Sequence, residues 1–187
     1  MKKLAAVLLA AFGIGAQANT ISTAVDVGAG AVEYWSFDYA YDIVPFGSIN
    51  TFTVGATAAI TEDPHLCVFS GSVAAGNLVG CDDDGGAQFN SSLTFNNPIL
   101  TSGTYVVALS GFQLTVADAL AGTNPESSAF ASTLTVRSES YNVFGHTIHN
   151  PYVSGLRQAG APVPLPGTVA LLGLGLVGLG LARRRKQ

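Results

Sequence analysis

The chain has 187 residues, 48% of them hydrophobic, which is enough for one globular domain and short for two. Its formal net charge is −4, but six of the eight basic residues lie near the termini and all twelve acidic residues lie between them. Residues 19–182 therefore hold two basic and twelve acidic residues, a net charge of −10. Because nucleic-acid affinity comes from Lys and Arg that neutralise phosphates, this charge excludes nucleic acid as a partner.

The N-terminus has the three parts of a secretory signal peptide. A pair of lysines precedes an apolar stretch from Leu4 to Ile14, and an Ala-Gln-Ala sequence ends at Ala18. As a helix this stretch would extend about 16 Å, too short for a hydrocarbon core of ~30 Å, so an N-terminal membrane anchor is disfavoured. We predict a signal peptide over residues 1–18, cleavage between Ala18 and Asn19, and export of the chain.

Short β-rich runs separated by turn sequences recur along the middle of the chain. Gly, Ser, Thr, Ala and Val dominate there and Lys is absent, a composition that favours strands over surface helices. A short helix fits 117–121. The predicted strands cover 33–39, 48–60, 65–69, 88–95, 104–109 and 129–137. We predict one antiparallel β-sandwich over residues 19–160, because a parallel sheet would need intervening helices.

The chain ends in an apolar run followed by a basic cluster. Residues 168–182 include four glycines, and as a helix they would span about 22 Å, which is marginal for a membrane. The basic tail consists of Arg183, Arg184, Arg185 and Lys186. By the positive-inside rule it stays in the cytoplasm, so the body lies outside. We predict a transmembrane helix over 168–182 that holds the precursor in the inner membrane.

The ending VPLPGTVALLGLGLVGLGLARRRKQ resembles a PEP-CTERM sorting signal, with a Val-Pro-x-Pro motif, a Gly-rich transmembrane stretch and a terminal Arg cluster. The motif residues are Val163, Pro164, Leu165, Pro166 and Gly167. Leu165 stands where the family has a Glu. The resemblance implies that residues 161–187 are a sorting signal, and that an exosortase, a membrane cysteine protease-transferase of Gram-negative bacteria, processes it.

The same resemblance implies a location and a role for the mature protein. Proteins with this signal are associated with exopolysaccharide and the biofilm matrix, so the mature form is expected at the cell surface or outside the cell. An ordinary C-terminal tail anchor is the alternative to a processed signal.

The segment 42–112 also resembles a bacterial pre-peptidase C-terminal domain, a small jelly-roll-like sandwich of secreted proteins. The resemblance is carried by SINTFTVGATAAI, LCVFSGSVAAGNLVGCDDDGG and LTSGTYVVALSGF. In that family the middle piece is a strand, a turn and a strand, and the last piece is a Gly-Thr-Tyr strand. The resemblance implies a jelly-roll-like arrangement of the body.

Cys67 and Cys81 are the only cysteines. An even pair in an exported protein indicates a disulfide, which would close a loop of about 15 residues and stabilise the fold by ~3 kcal/mol. A metal-binding or catalytic thiol is the alternative, and it is disfavoured because a lone pair of cysteines separated by thirteen residues matches no metal-binding motif.

Asp82, Asp83 and Asp84 place three carboxylates on one turn before two glycines. Their mutual repulsion favours a hard cation, and a Ca²⁺ site would add backbone carbonyls, Asp38 or Asp42 to reach six to eight oxygens. The spacing of an EF-hand loop is absent, which favours the alternative of a solvated acidic turn.

No pattern of catalytic residues stands out, and we predict that the chain is not an enzyme. The nucleophile-elbow, zinc-protease and phosphate-loop motifs are missing from the sequence. Glu33 or Glu62 with an Asp could serve a glycosidase, but the chain is short for the cleft that such an enzyme needs. His146 and His149 precede Asn150-Pro151, which argues against the helix that would bring them together on a metal.

A carbohydrate- or calcium-binding surface module is the alternative function. Tyr34, Trp35, Tyr39 and Tyr41 could offer ring faces to sugars. They could equally be the alternating core and surface positions of one strand. The favoured interpretation is a non-enzymatic, exported cell-surface or matrix protein.

Overall fold

The computed structural model describes residues 19–40, 48–96, 101–142 and 151–161. These residues form nine strands, one short α-helix, α1 (Val116–Ala121), and a single 3₁₀ turn. The strands are β1 (Asn19–Val27), β2 (Glu33–Ala40), β3 (Ser48–Ala58), β4 (His65–Ser70), β5 (Leu78–Asp82), β6 (Ser91–Asn96), β7 (Gly103–Ser110), β8 (Phe130–Asn142) and β9 (Tyr152–Gln158).

The strands form two antiparallel sheets. The four-stranded sheet has the order β1-β8-β3-β6, and the five-stranded sheet has the order β5-β4-β7-β2-β9. β8 is the longest strand and pairs with β1 over nine residues and with β3 over eleven. The prediction of an all-β, antiparallel body is therefore confirmed, whereas the jelly-roll-like arrangement stays a prediction.

One hydrophobic core lies between the two sheets. On β3, Phe52, Val54 and Ala56 point inward because alternate residues of a strand face opposite sides. The four-stranded sheet contributes the buried side chains of Val25, Val27, Phe52, Val54, Ala56, Phe95, Phe130, Leu134 and Val136. The five-stranded sheet contributes Phe37, Tyr39, Leu66, Val68, Tyr105, Val107, Leu109 and Val153. The sheets therefore pack face to face as a β-sandwich.

A second, smaller core covers the outer face of the five-stranded sheet. Tyr34, Phe69 and Ala108 point away from the main core and pack with Leu114 and Ala119, which lie in and beside α1. Because both of its faces are covered, β7 is buried along its last six residues. This explains the continuous apolar sequence of β7, which lacks the alternation of a half-exposed strand.

α1 begins and ends at recognisable capping residues. The Thr115 hydroxyl accepts a hydrogen bond from the Asp118 amide, and the Asp118 carboxylate accepts one from the Thr115 amide, which together form a capping box. Gly122, with φ of +78°, ends the helix in the left-handed conformation that glycine favours. The observed helix therefore begins one residue before the predicted range of 117–121.

The predicted strands coincide with six of the nine observed ones, with changes at their ends. β1 and β9 were not predicted, and β5 was not among the predicted runs, although the pre-peptidase resemblance implied it. The strand predicted over 88–95 begins at Ser91, since Gln88 has a positive φ of 61° and Asn90 donates a side-chain hydrogen bond to the Ala87 carbonyl. The strand predicted over 48–60 ends at Ala58.

Phe52 lies at the centre of the main core. Its ring centroid is 5.0 to 5.4 Å from those of Phe37, Tyr39, Phe95 and Tyr105. Three of these four rings belong to the opposite sheet. Aromatic rings in such tilted contacts stabilise a fold beyond the area that they bury.

We predict that Phe52→Ala lowers the free energy of unfolding by about 3–5 kcal/mol, because it leaves a cavity between the sheets. Urea denaturation of the secreted chain measures the change. The matched control is Phe112→Ala, whose side chain is 48% exposed and whose loss should change stability by no more than ~0.5 kcal/mol. Equal losses from the two variants would contradict the shared aromatic core.

Candidate functional site

The chain leaves the sandwich at the end of β9. Gln158 lies opposite Trp35 on β2, and the Ala159 amide donates to the Tyr34 carbonyl at 2.7 Å. Gly160 and Ala161 follow, and the described residues end there. The predicted sorting motif, 163–167, thus begins four residues beyond the last hydrogen-bonded amide of the body.

The two ends of the body lie at opposite ends of the sandwich. Asn19 pairs with Ser138, whose hydroxyl donates to the carbonyl of Pro151, the residue before β9. From there β9 runs along β2 for seven residues, or about 23 Å at ~3.3 Å per residue, before the chain leaves the body. Asn19 therefore lies at one end of the sandwich, and Ala159 lies at the other.

Polar contacts fasten β9 to its neighbours on the outer face of the sheet. The Arg157 guanidinium donates to the Asp38 carboxylate at 3.1 Å, and the Thr104 hydroxyl donates to the same carboxylate at 2.7 Å. The hydrogen bond from Thr104, reinforced by Arg157, lowers the pKa of Asp38. Because the ion pair is exposed, it contributes at most ~1 kcal/mol, and the burial of Val153 is the stronger attachment.

The Cys67–Cys81 disulfide joins β4 to β5. The two residues lie directly opposite each other in the register of the strands, and their sulfurs are bonded. Cys67 is fully buried in the outer core, beside Phe69. The predicted disulfide is confirmed, and it fastens the five-residue edge strand β5 to the sheet.

The carboxylate of Asp82 is engaged with the backbone of its own turn. It accepts hydrogen bonds from the Gly85 amide at 2.8 Å and from the Ser92 amide at 2.7 Å. A Cβ atom at position 85 would lie 2.6 Å from this carboxylate, so the turn requires glycine there. Asp82 therefore stabilises the connection between β5 and β6.

Asp63, His65 and Asp83 form a partly buried cluster beside this turn. His65 Nδ1 lies 3.4 Å from Asp83 Oδ1, and Oδ1 of Asp63 is also buried. Burial lowers the pKa of His65, although the Asp83 carboxylate opposes the shift. Burial raises the pKa of Asp63, and the charges of Asp83 and Asp84 add to it. At neutral pH His65 is thus an uncharged imidazole beside acidic groups.

This cluster does not assemble the predicted set of calcium ligands. Within residues 19–40, 48–96, 101–142 and 151–161, no group of three or more His, Cys, Asp or Glu side chains is placed to hold a metal ion. Asp38, suggested as a further ligand, pairs with Arg157 instead, and Asp42 lies outside the described residues. Ca²⁺ binding at Asp82, Asp83 and Asp84 stays a prediction.

The aromatic residues proposed to stack on sugars are largely buried. Tyr34 and Tyr39 are 2% and 1% exposed, Trp35 is half-buried, and Tyr41 lies outside the described residues. The Tyr34 hydroxyl donates to the Ala119 carbonyl at 2.6 Å, and burial, with the charge of Glu33, raises its pKa to about 12. Tyr34 and Tyr39 thus occupy the core positions that the sequence left open as an alternative, and carbohydrate binding stays a prediction.

The remaining candidate residues divide between the body and the undescribed segments. Glu33 accepts a hydrogen bond from Gln158. His146 and His149 lie outside the described residues, as do the signal peptide, the sorting motif and the basic tail. The part of the chain that the structure describes contains no helix long and apolar enough to cross a membrane, and the predicted segment 168–182 is not in that part.

Both arginines of the body take part in ion pairs that were not predicted from the sequence. Arg157 pairs with Asp38, and Arg137 pairs with Glu139. A signal for these pairs was available, because arginines in a strongly acidic body have many acidic partners within reach. The sequence could not identify the partner of Arg157, since Asp38 is more than a hundred residues away.

Comparison with known proteins identifies the C-terminal segment. Residues 162–186 match the PEP-CTERM protein-sorting motif. The match begins just after the described body ends at Ala161, and it includes Val163, Pro164 and Pro166. It implies an exported protein that is anchored in the membrane before processing, with an exosortase as the processing partner. No curated protein matches the chain, and the pre-peptidase resemblance of 42–112 stays a prediction.

We predict that the thiols of Cys67 and Cys81 resist alkylation in the native, exported protein until reductant is added. Replacing both with Ala should lower the free energy of unfolding by ~3 kcal/mol, because the unfolded chain is then no longer constrained by the closed loop. Mass spectrometry after iodoacetamide treatment counts the labels, and the reduced, unfolded chain serves as the two-label control. Labelling of the native chain without reductant would refute the disulfide.

Proposed function

We propose that the chain is a non-enzymatic structural protein of the cell surface or extracellular matrix. The observation that carries the proposal is the position of the PEP-CTERM motif, which follows a sandwich whose strands are complete at Gln158. The signal peptide exports the chain, the segment 168–182 holds it in the inner membrane, and an exosortase cuts within 163–167. The sandwich is then released or attached outside the cell.

A cut within 163–167 fits the construction of the body. Every described strand lies before this region, so the cut removes no part of either sheet. It also removes the four basic residues of the tail, and once Lys2 and Lys3 are lost with the signal peptide, two basic residues remain against twelve acidic ones. The processed protein is therefore polyanionic, a property that keeps it soluble within a hydrated polymer layer.

Association with exopolysaccharide and the biofilm matrix is the setting that we propose for the mature protein. The main core and the Cys67–Cys81 disulfide give the body its stability, and these require no cofactor. Neither a cofactor nor Ca²⁺ is part of the proposal. A structural role also suits a surface whose carboxylates are engaged in turns and ion pairs, as those of Asp82 and Asp38 are.

We predict that the double variant Pro164→Ala, Pro166→Ala is not trimmed and accumulates in the inner membrane at full length. The two prolines keep the backbone extended for recognition and stop the transmembrane helix from continuing into the motif. Fractionation followed by immunoblotting measures the ratio of trimmed to untrimmed chain. Normal trimming of the double variant would contradict the proposal.

Two further variants make this experiment specific. Pro125→Ala, at an exposed proline of the body, is the matched control and should be trimmed like the wild type. Leu165→Glu supplies the residue that the family has at this position and should be trimmed at least as completely as the wild type. If Leu165→Glu blocks trimming, the processing enzyme reads a different motif from the one proposed.

A further inference from the structure

In the part of the chain that the structure describes, the sandwich has four edge strands, which are β1 and β6 in one sheet and β5 and β9 in the other. An edge strand presents unpaired backbone N–H and C=O groups and can pair with a strand of another molecule. Natural proteins protect such edges by short strands, bulges, charged side chains or a covering segment. The four edges of this body differ in whether they have these protections.

The edges of β6 and β5 are protected. β6 has six residues, and the amide of Ser92 within it already donates to the Asp82 carboxylate at 2.7 Å. β5 has five residues and a shift of register between Val68 and Phe69 of its neighbour β4. Neither strand offers a long, regular edge.

The edge of β9 is irregular as well. Its pairing with β2 shifts between Ser36 and Asp38, and Gly155 has a positive φ of 66°. The Arg157 guanidinium donates to the Gly155 carbonyl at 2.8 Å and so occupies one backbone acceptor of this strand. A bulged strand with a charged side chain folded over it is a poor template for pairing.

β1 is the longest of the four edge strands. Its nine residues pair with β8 without a shift of register, and they include no Pro, Lys or Arg. Asp26 is its only charged side chain. Among the residues that the structure describes, no strand pairs with the second edge of β1, since the adjacent β9 pairs with β2 in the other sheet.

We propose that the edge of β1 binds the same edge of a second copy of this chain. The two strands pair antiparallel about a two-fold axis at Thr23, and the two four-stranded sheets become one eight-stranded sheet. This register uses all nine residues of both strands and pairs Asn19 with Val27, and Ile21 with Val25. Residues that face the core stay on the core side, because the pairing joins odd positions to odd positions.

Charge complementarity favours a second copy over an unrelated partner. Cleavage after Ala18 creates an α-ammonium group on Asn19, which the pairing places beside Val27 and Asp26 of the second copy. The two-fold axis repeats this contact, so at each end of the strand pair the ammonium group of one copy lies beside the Asp26 carboxylate of the other. This step rests on the proposed export, because the ammonium group exists only after the signal peptide is removed.

A single added cysteine tests the pairing in the full chain expressed in a host that exports it. Thr23→Cys lies on the two-fold axis and should form a disulfide between two copies, visible on a non-reducing gel as a band at twice the monomer mass that reductant removes. Thr94→Cys, at an exposed threonine of the protected edge strand β6, is the matched control and should stay monomeric. Equal cross-linking of both variants would overturn the proposal, as would none at Thr23→Cys.

A second pair of variants shows that a missing band does not reflect misfolding. Ala24→Lys in the Thr23→Cys chain brings like charges together across the axis and should abolish the cross-link, while Ala24→Ser should retain it. Continued protection of Cys67 and Cys81 from alkylation establishes that each variant is folded.

N-terminal sequencing of the same samples shows whether a missing cross-link results from failed export or from failed pairing. Monomeric Thr23→Cys that begins at Asn19 overturns the pairing alone, whereas a chain that retains Met1 overturns export and pairing together.

Discussion

The ring of Phe52 packs against Phe37, Tyr39 and Tyr105 across the gap between the two sheets. Phe52 belongs to the four-stranded sheet and the other three rings belong to the five-stranded one, so this contact joins the layers. Each sheet alone would expose an apolar face to water, and only their packing removes both faces. This shared core positions the edge strands β1 and β9, and with them both ends of the body.

The position of the two ends connects the fold to the proposed function. β1 begins at Asn19, the first residue after the predicted signal peptide, and within the described residues the last hydrogen-bonded amide at the other end is that of Ala159. The PEP-CTERM motif begins three residues after Ala159, so the fold and the sorting signal share no described strand. Processing can therefore separate the sandwich from the membrane without disturbing either sheet.

The central strands could be predicted from the sequence because their alternating or continuous apolar runs are strong local signals. β9 could not, since Gly155 and an arginine interrupt its pattern, and β1 could not be separated from the signal peptide that it adjoins. The cysteine pair was predictable, because an exported chain with two cysteines has one pairing. The use of the Asp82 carboxylate by Ser92, and the burial of Tyr34 beneath α1, depend on contacts between distant residues that no local pattern encodes.

The central claim is that the chain is exported and sorted, and that its N-terminal and C-terminal segments are both removed. The intact mass of wild-type protein recovered from the cell surface tests it most directly, because one value reports both ends. Our account predicts a chain that begins at Asn19, ends within 163–167 and lacks Arg183 to Lys186. A mass that still includes the basic tail would contradict it and would make the protein a permanently tail-anchored one.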